Sequence, residues 1–182
     1  MIFAALYATA LVALFVRVRV GDESPPEPAR PLPGEPLWLT RLHHGLFYGI
    51  LLGAPIERAI ISGATEDRAL GAALFALGVL VYRLAGGTLG NAVSPFIEPR
   101  AGAPLVTRGL YRYVRHPMYV GEALIAVGAP LTLGCRVVLW LTAPALLVLF
   151  ARAWLEEEAL VRTFPEYVPY AARTKRIVPF VY

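Results

Sequence analysis

The stretch Pro117–Leu155, PMYVGEALIAVGAPLTLGCRVVLWLTAPALLVLFARAWL, carries only Glu122, Arg136 and Arg152 as charged residues. It divides at Gly134-Cys135-Arg136 into two apolar runs, about 117–133 and 137–155. Each approaches the ~20 residues that an α-helix needs to cross a bilayer core. Three connecting residues leave no room for a crossover, so the pattern predicts an antiparallel helical hairpin in a membrane.

The rest of the chain agrees. Of its 182 residues, 57% are hydrophobic and 16% charged, and the mean hydropathy is +0.58. About a quarter of an ordinary soluble domain is charged, so the composition predicts an all-α, polytopic integral membrane protein with the lipid bilayer as its first partner. Three further spans are expected at about 2–18, 37–56 and 69–85, making five in one domain over 1–182. Met1–Val18 has neither a basic leader nor a small-residue cleavage pattern, and is read as a retained helix. Gly21–Pro36 holds six prolines and is read as a connecting loop. Glu57, Arg58, Glu66, Asp67 and Arg68 are expected to cap the turn between the second and third spans. A net charge of +4 interrupted by bilayer-length apolar runs does not describe a nucleic-acid binder. One cysteine, Cys135, cannot make an intramolecular disulfide or a cysteine zinc site, and three histidines offer little for a metal centre, so no metal is expected.

Orientation follows from the distribution of Lys and Arg. With the N-terminus outside, fourteen of the seventeen fall on the cytosolic side and only Arg58, Arg68 and Arg136 on the other. The polar segments 86–116 and 152–182 then lie together in the cytosol, and the first is too long for a plain connection.

Chemistry concentrates in three places. In Leu105–Gly121 (LVTRGLYRYVRHPMYVG), Pro117 suits the first position of a helix, where its missing N–H costs nothing. The free N–H groups of that helix start, beside Arg115 and His116, suit an anionic group. The same cations and Tyr111, Tyr113 and Tyr119 could equally anchor the helix at the headgroups. In Arg152–Glu158 (RAWLEEE), Glu156 follows Arg152 by one turn, so the two can pair, or each can face a ligand. The tail, with Phe164, Tyr167 and Tyr170 before Arg173–Pro179, can close a pocket or anchor the C-terminus, and anchoring is the simpler expectation. His43-His44 could shuttle protons, but with no acid nearby in the sequence they read as structural. Glu122, one turn inside a span, is a functional candidate or the partner of a neighbouring helix.

The ordered set Leu105-Val106, Gly109, Tyr111, Arg115-His116-Pro117, Tyr119 and Gly121, then a short hairpin, then Arg152 with Glu156-Glu157, then Phe164, Tyr167 and Tyr170, and finally Arg176-Ile177 with Pro179, resembles the isoprenylcysteine carboxyl methyltransferases and related membrane phospholipid methyltransferases. The resemblance covers about 94–180. It implies a polytopic helical enzyme that takes S-adenosylmethionine from the cytosol and a lipophilic small-molecule acceptor from the bilayer. It implies cofactor contacts at Ala103, Pro104, Leu105, Val106, Tyr111, His116, Pro117, Met118, Tyr119 and Glu156. It implies a catalytic and acceptor-binding role for Arg152, with Tyr167 and Tyr170 in the part of the tail that covers the site. A guanidinium at Arg152 favours a carboxylate or thiol acceptor of the isoprenylcysteine type over a phospholipid amine. Membrane sterol reductases that use NADPH have a similar tail and are the rival enzyme class.

If the charge count sets topology, a cysteine placed at residue 95 of a Cys135→Ala chain is shielded from impermeant reagents applied to intact cells. Labelling from the outer face would refute the orientation.

Overall fold

The computed structural model describes residues 1–15, 35–61 and 67–177. Over these the chain forms α1 (Ile2–Phe15), α2 (Leu37–Ile60), α3 (Arg68–Leu89), α4 (Pro117–Leu133), α5 (Thr142–Thr163) and α6 (Tyr167–Ala171). Single 3-10 turns lie at Gly90–Ala92, Gly109–Arg112 and Val138–Leu141. Among the described residues no strand forms, and Val114 and Lys175 make one isolated parallel bridge. The all-helical expectation therefore holds.

α4 coincides with its expected bounds, and both ends are set by local chemistry. Pro117 opens it, and Gly134 closes it at φ 76, with its N–H donating to the Leu131 carbonyl and that of Cys135 to the Pro130 carbonyl. α3 runs one turn past residue 85. α5 runs two turns past 155, because nothing in Glu156–Thr163 breaks a helix; it stops at Phe164, held extended by the proline that follows. Of the expected first span, residues 16–18 lie outside the described residues. So do residues 21–34 of the proline-rich loop, Glu66, and Pro179 in the tail.

Among the described residues two helical stretches, Arg68–Ala92 and Val138–Thr163, have the length and apolarity to cross a membrane, fewer than the five expected. α1 and α4 are apolar but shorter, at 14 and 17 residues. α2 is long enough, but Arg41, His43, His44, Glu57 and Arg58 dilute it.

The centre of the fold is an antiparallel contact between α3 and α4 at backbone distance. Gly71 and Gly78 on one helix, and Gly121 and Gly128 on the other, share a spacing of seven residues, two helical turns. A Cβ on Gly78 would stand 2.8 Å from the Gly121 carbonyl oxygen and from the Ile125 nitrogen, and one on Gly128 would stand 2.4 Å from the Phe75 nitrogen. Such close approach is how helices lacking a hydrophobic drive to associate gain dispersion energy. Around this seam Ile50, Leu51, Phe75, Val79, Ile125 and Ala129 make the core. α1 joins it through Tyr7, whose hydroxyl donates to the Leu51 carbonyl.

Glu57 caps a different turn from the one expected. Its carboxylate accepts the N–H groups of Arg136, Val137 and Val138 at 2.8, 3.0 and 2.7 Å, the orphan donors at the start of the helical run leading into α5. The end of α2 thus clamps the hairpin, and the C-terminus of α3 and N-terminus of α4 meet at the opposite end of the bundle.

Gly78→Ala forces a methyl against α4 backbone, and overpacking of this kind costs about 1–3 kcal/mol. Gly45→Ala, on α2 with nothing within 4 Å of the added Cβ, leaves stability unchanged or slightly raised. Thermal unfolding in detergent distinguishes them, and equal behaviour would dissolve the seam as the organising contact.

Candidate active site

Gly109, at φ +61, lays the turn Gly109–Arg112 against Thr88 on the last turn of α3. The turn closes at Tyr113, in the αR region, and Val114–His116 lead into Pro117 at the start of α4. The tail docks on this short connection. Arg115 and His116 donate their backbone N–H groups to the Lys175 and Arg176 carbonyls at 2.8 and 3.1 Å, and Lys175 donates back to Tyr113 at 3.3 Å. The Tyr170 hydroxyl donates to the Tyr111 carbonyl at 2.6 Å. Burial pushes the Tyr170 phenol up to about 12 and also raises that of Tyr111, so both stay neutral at physiological pH. The tail is therefore a wall of the site and not a plain membrane anchor.

Glu157 holds that wall in place. One carboxylate oxygen accepts Arg115 Nε at 2.8 Å and lies 3.3 Å from His116 Nε2, and the other accepts Arg176 at 2.8 Å. Arg115 also donates to the carbonyls of Ala171 and Thr174. The cationic corner expected to receive an anion at the start of α4 is thus already engaged by the chain's own acid. His116, stacked on Tyr119 with the rings 7° apart, also lies 3.8 Å from Glu156. Helical phase separates the three consecutive glutamates. Glu157 faces Arg115 and Arg176, Glu158 is exposed beside the Trp154 indole, and Glu156 lines a cavity with Oε2 buried and without a hydrogen-bond partner.

That cavity, of about 360 Å³, lies where α2, α3, α4, α5, the 93–106 loop and the tail meet. Of the residues implicated by sequence, Ala103, Pro104, Leu105, Val106, Tyr111, His116, Met118, Tyr119, Arg152, Glu156 and Tyr170 line it. Pro117 and Tyr167 do not. Pro117 is fully buried at the start of α4, and Tyr167, equally buried, packs edge-on against the Tyr170 ring at 5.7 Å. Tyr82, Pro95 and Arg100 also line the cavity. No spacing connects them to the 105–121 motif, and the length of the 86–115 segment was the one hint to the loop residues.

Arg152 and Glu156 do not pair. Arg152 is buried, donating from Nη1 to the Thr40 hydroxyl at 2.7 Å and from Nη2 to the Pro95 carbonyl at 3.1 Å, with Nε unmatched. Among the described residues no carboxylate lies within 4.0 Å of it. His43 does have an acid beside it, contrary to the sequence expectation: its Nε2 lies 2.8 Å from Glu122 Oε2, both side chains buried and both residues lining the cavity. Glu122 accordingly pairs with a neighbouring helix. Among the described residues no group of three or more His, Cys, Asp or Glu side chains could hold a metal ion.

Glu157→Gln removes the charge that binds Arg115 and Arg176, and loses about 1.5–3 kcal/mol, the range for hydrogen bonds to charged groups. Trypsin cleavage at Lys175 accelerates in this variant, while Glu158→Gln matches the parent. An unchanged digestion rate would show that the backbone bonds alone hold the tail.

Residues 67–167 match the phospholipid methyltransferase family. The chain is also 32% identical, over 150 residues, to the nickel-cobalt-cadmium resistance protein NccN of Alcaligenes xylosoxydans xylosoxydans, an alignment covering 78% of this chain and 67% of that protein. The match spans α3, α4, α5 and the connecting loop that together build most of the cavity wall, and the chain belongs to the phospholipid methyltransferase family.

Proposed function

We propose that the chain is an integral membrane methyltransferase that uses S-adenosylmethionine to methylate a lipophilic acceptor bearing an anionic group at Arg152. The observation that carries this reading is the separation of Arg152 from Glu156. They are one turn apart on α5, line one cavity and do not neutralise each other. A buried guanidinium without an acid, and a carboxylate oxygen without a donor, are costly unless a ligand completes them. S-adenosylmethionine and an anionic acceptor supply the two missing charges.

The lining fits the donor. Glu156 holds its ammonium and the apolar run Ala103–Val106 packs against its adenine. The faces of Tyr111 and Tyr119 suit a sulfonium by cation–π attraction. When bound, the donor supplies an electrophilic methyl group. The protein's part is to hold the acceptor in line at roughly 3–3.5 Å and to exclude water, with Tyr170 in the covering tail and Tyr167 bracing it.

Membrane residence is supported by the two long apolar helices and by large apolar side chains on the outer surface, among them Leu52, Leu77, Leu80, Leu147 and Phe150. In this reading five helices cross the bilayer with the N-terminus outside, and the cavity opens at cytosolic headgroup depth. The acceptor is then a carboxylate or thiol of the isoprenylcysteine type. A phospholipid amine is the second reading. It fits the family equally, and the buried Glu122 supplies an acid that offsets the repulsion between Arg152 and an ammonium. An NADPH-dependent reduction is less well supported, because Arg115 and Arg176, which could take its phosphates, are engaged by Glu157.

Glu156→Gln weakens donor binding by about 1.5–3 kcal/mol in calorimetry. Arg152→Lys leaves donor affinity nearly intact and lowers turnover, because the charge stays and the planar fork goes. Loss of donor binding in both variants, or wild-type protein that binds NADPH and not S-adenosylmethionine, would overturn the assignment.

A further inference from the structure

We propose that His43, positioned by Glu122, is the catalytic base of the methyl transfer, so that the acceptor is a group that must lose a proton: a thiol or an amine, and not a carboxylate. The inference rests on the methyltransferase reading and narrows its acceptor.

The two residues come from different helices, α2 and α4, and are brought together at 2.8 Å in the cavity wall. Both residues are more than nine-tenths buried. A neutral imidazole that donates its Nε2–H to a carboxylate keeps its lone pair on Nδ1, and Nδ1 is buried here with no protein partner. An acid fixing the tautomer of a histidine whose other nitrogen is unsatisfied is the arrangement of a base awaiting a proton. A purely structural histidine in so buried a place would be expected to satisfy both nitrogens. Its surroundings allow it to gain and lose charge. Facing it around the cavity are His44 and Tyr48 of α2, Tyr82 of α3, Tyr119 and Glu122 of α4, and Arg152 of α5. Glu122 supplies the negative charge that balances the imidazolium once formed.

The step balances. The lone pair of the acceptor's sulfur or nitrogen forms the new bond to the methyl carbon as the methyl–sulfonium bond breaks, its electrons remaining on the donor's sulfur. The proton from the S–H or N–H passes to His43 Nδ1 and leaves to solvent after product release. A carboxylate acceptor has no proton to give and would leave the pair idle.

The test uses the full chain in nanodiscs, with labelled donor and three acceptors: a hydrophobic thiol, phosphatidylethanolamine and a prenylcysteine carboxylate. His43→Gln and Glu122→Gln are compared with the parent by donor calorimetry, thermal unfolding and the pH profile of turnover. Gln at 122 can still accept the Nε2–H, which guards against misfolding. The expected result is transfer to the thiol, the amine lipid or both, with a rate that falls on the acid side as the imidazole takes up a proton. His43→Gln loses that acid limb and about 100- to 10,000-fold in turnover, while donor affinity stays within twofold. A His43→Gln variant with parental rate and pH profile, or transfer confined to the carboxylate, would overturn the inference alone. Wild-type protein that binds no donor would overturn the methyltransferase reading and the inference with it.

Discussion

Four glycines let the backbones of α3 and α4 touch, and the position of everything functional descends from that contact. Because the helices are antiparallel and locked in register at Gly71, Gly78, Gly121 and Gly128, the last turn of α3 and the first turn of α4 stand side by side. The intervening 86–116 segment must then fold over that end of the bundle. Glu57 acts at the opposite end, holding the start of α5 by three backbone N–H groups. With one end pinned, the far end of α5 is delivered to α4 in a fixed phase, and Arg152 and Glu156 arrive in the cavity wall together.

Phase then decides which acid does what. Adjacent helical residues point about 100° apart, so three consecutive glutamates address three surroundings: the cavity, the docked tail and solvent. Glu157 is spent on structure so that Glu156 remains open to a ligand. A site that keeps Glu156 open yet contains Arg115, His116 and Arg176 needs such a partition, since those cations would otherwise compete for the cavity-facing acid.

Much of this was legible in the residues themselves. The apolar runs predicted α4 to the residue, because Pro117 and Gly134 are local signals that read the same in any context. The ordered motif also pointed to the cavity: most of the residues it implicated line one space. Other features were hidden for a physical reason. The Glu57 cap, the His43–Glu122 pair and the placement of Pro95 and Arg100 all join residues far apart in the chain, and no local period or cap chemistry reports such contacts. The buried state of Pro117 and Tyr167 was hidden in the same way. A motif residue can serve by packing against its neighbour, and sequence does not distinguish that from touching the ligand.

The docking of Tyr170–Arg176 onto Tyr111–His116 also fixes when the site comes into being. Strands of chain some sixty positions apart are joined there by backbone hydrogen bonds, and one wall of the cavity belongs to the later of the two. During synthesis the earlier helices can form and pack before this wall has been made. The pocket is therefore complete only after the chain has passed residue 176 and folded back. The cavity thus stays unfinished while α1 to α5 are still being laid down.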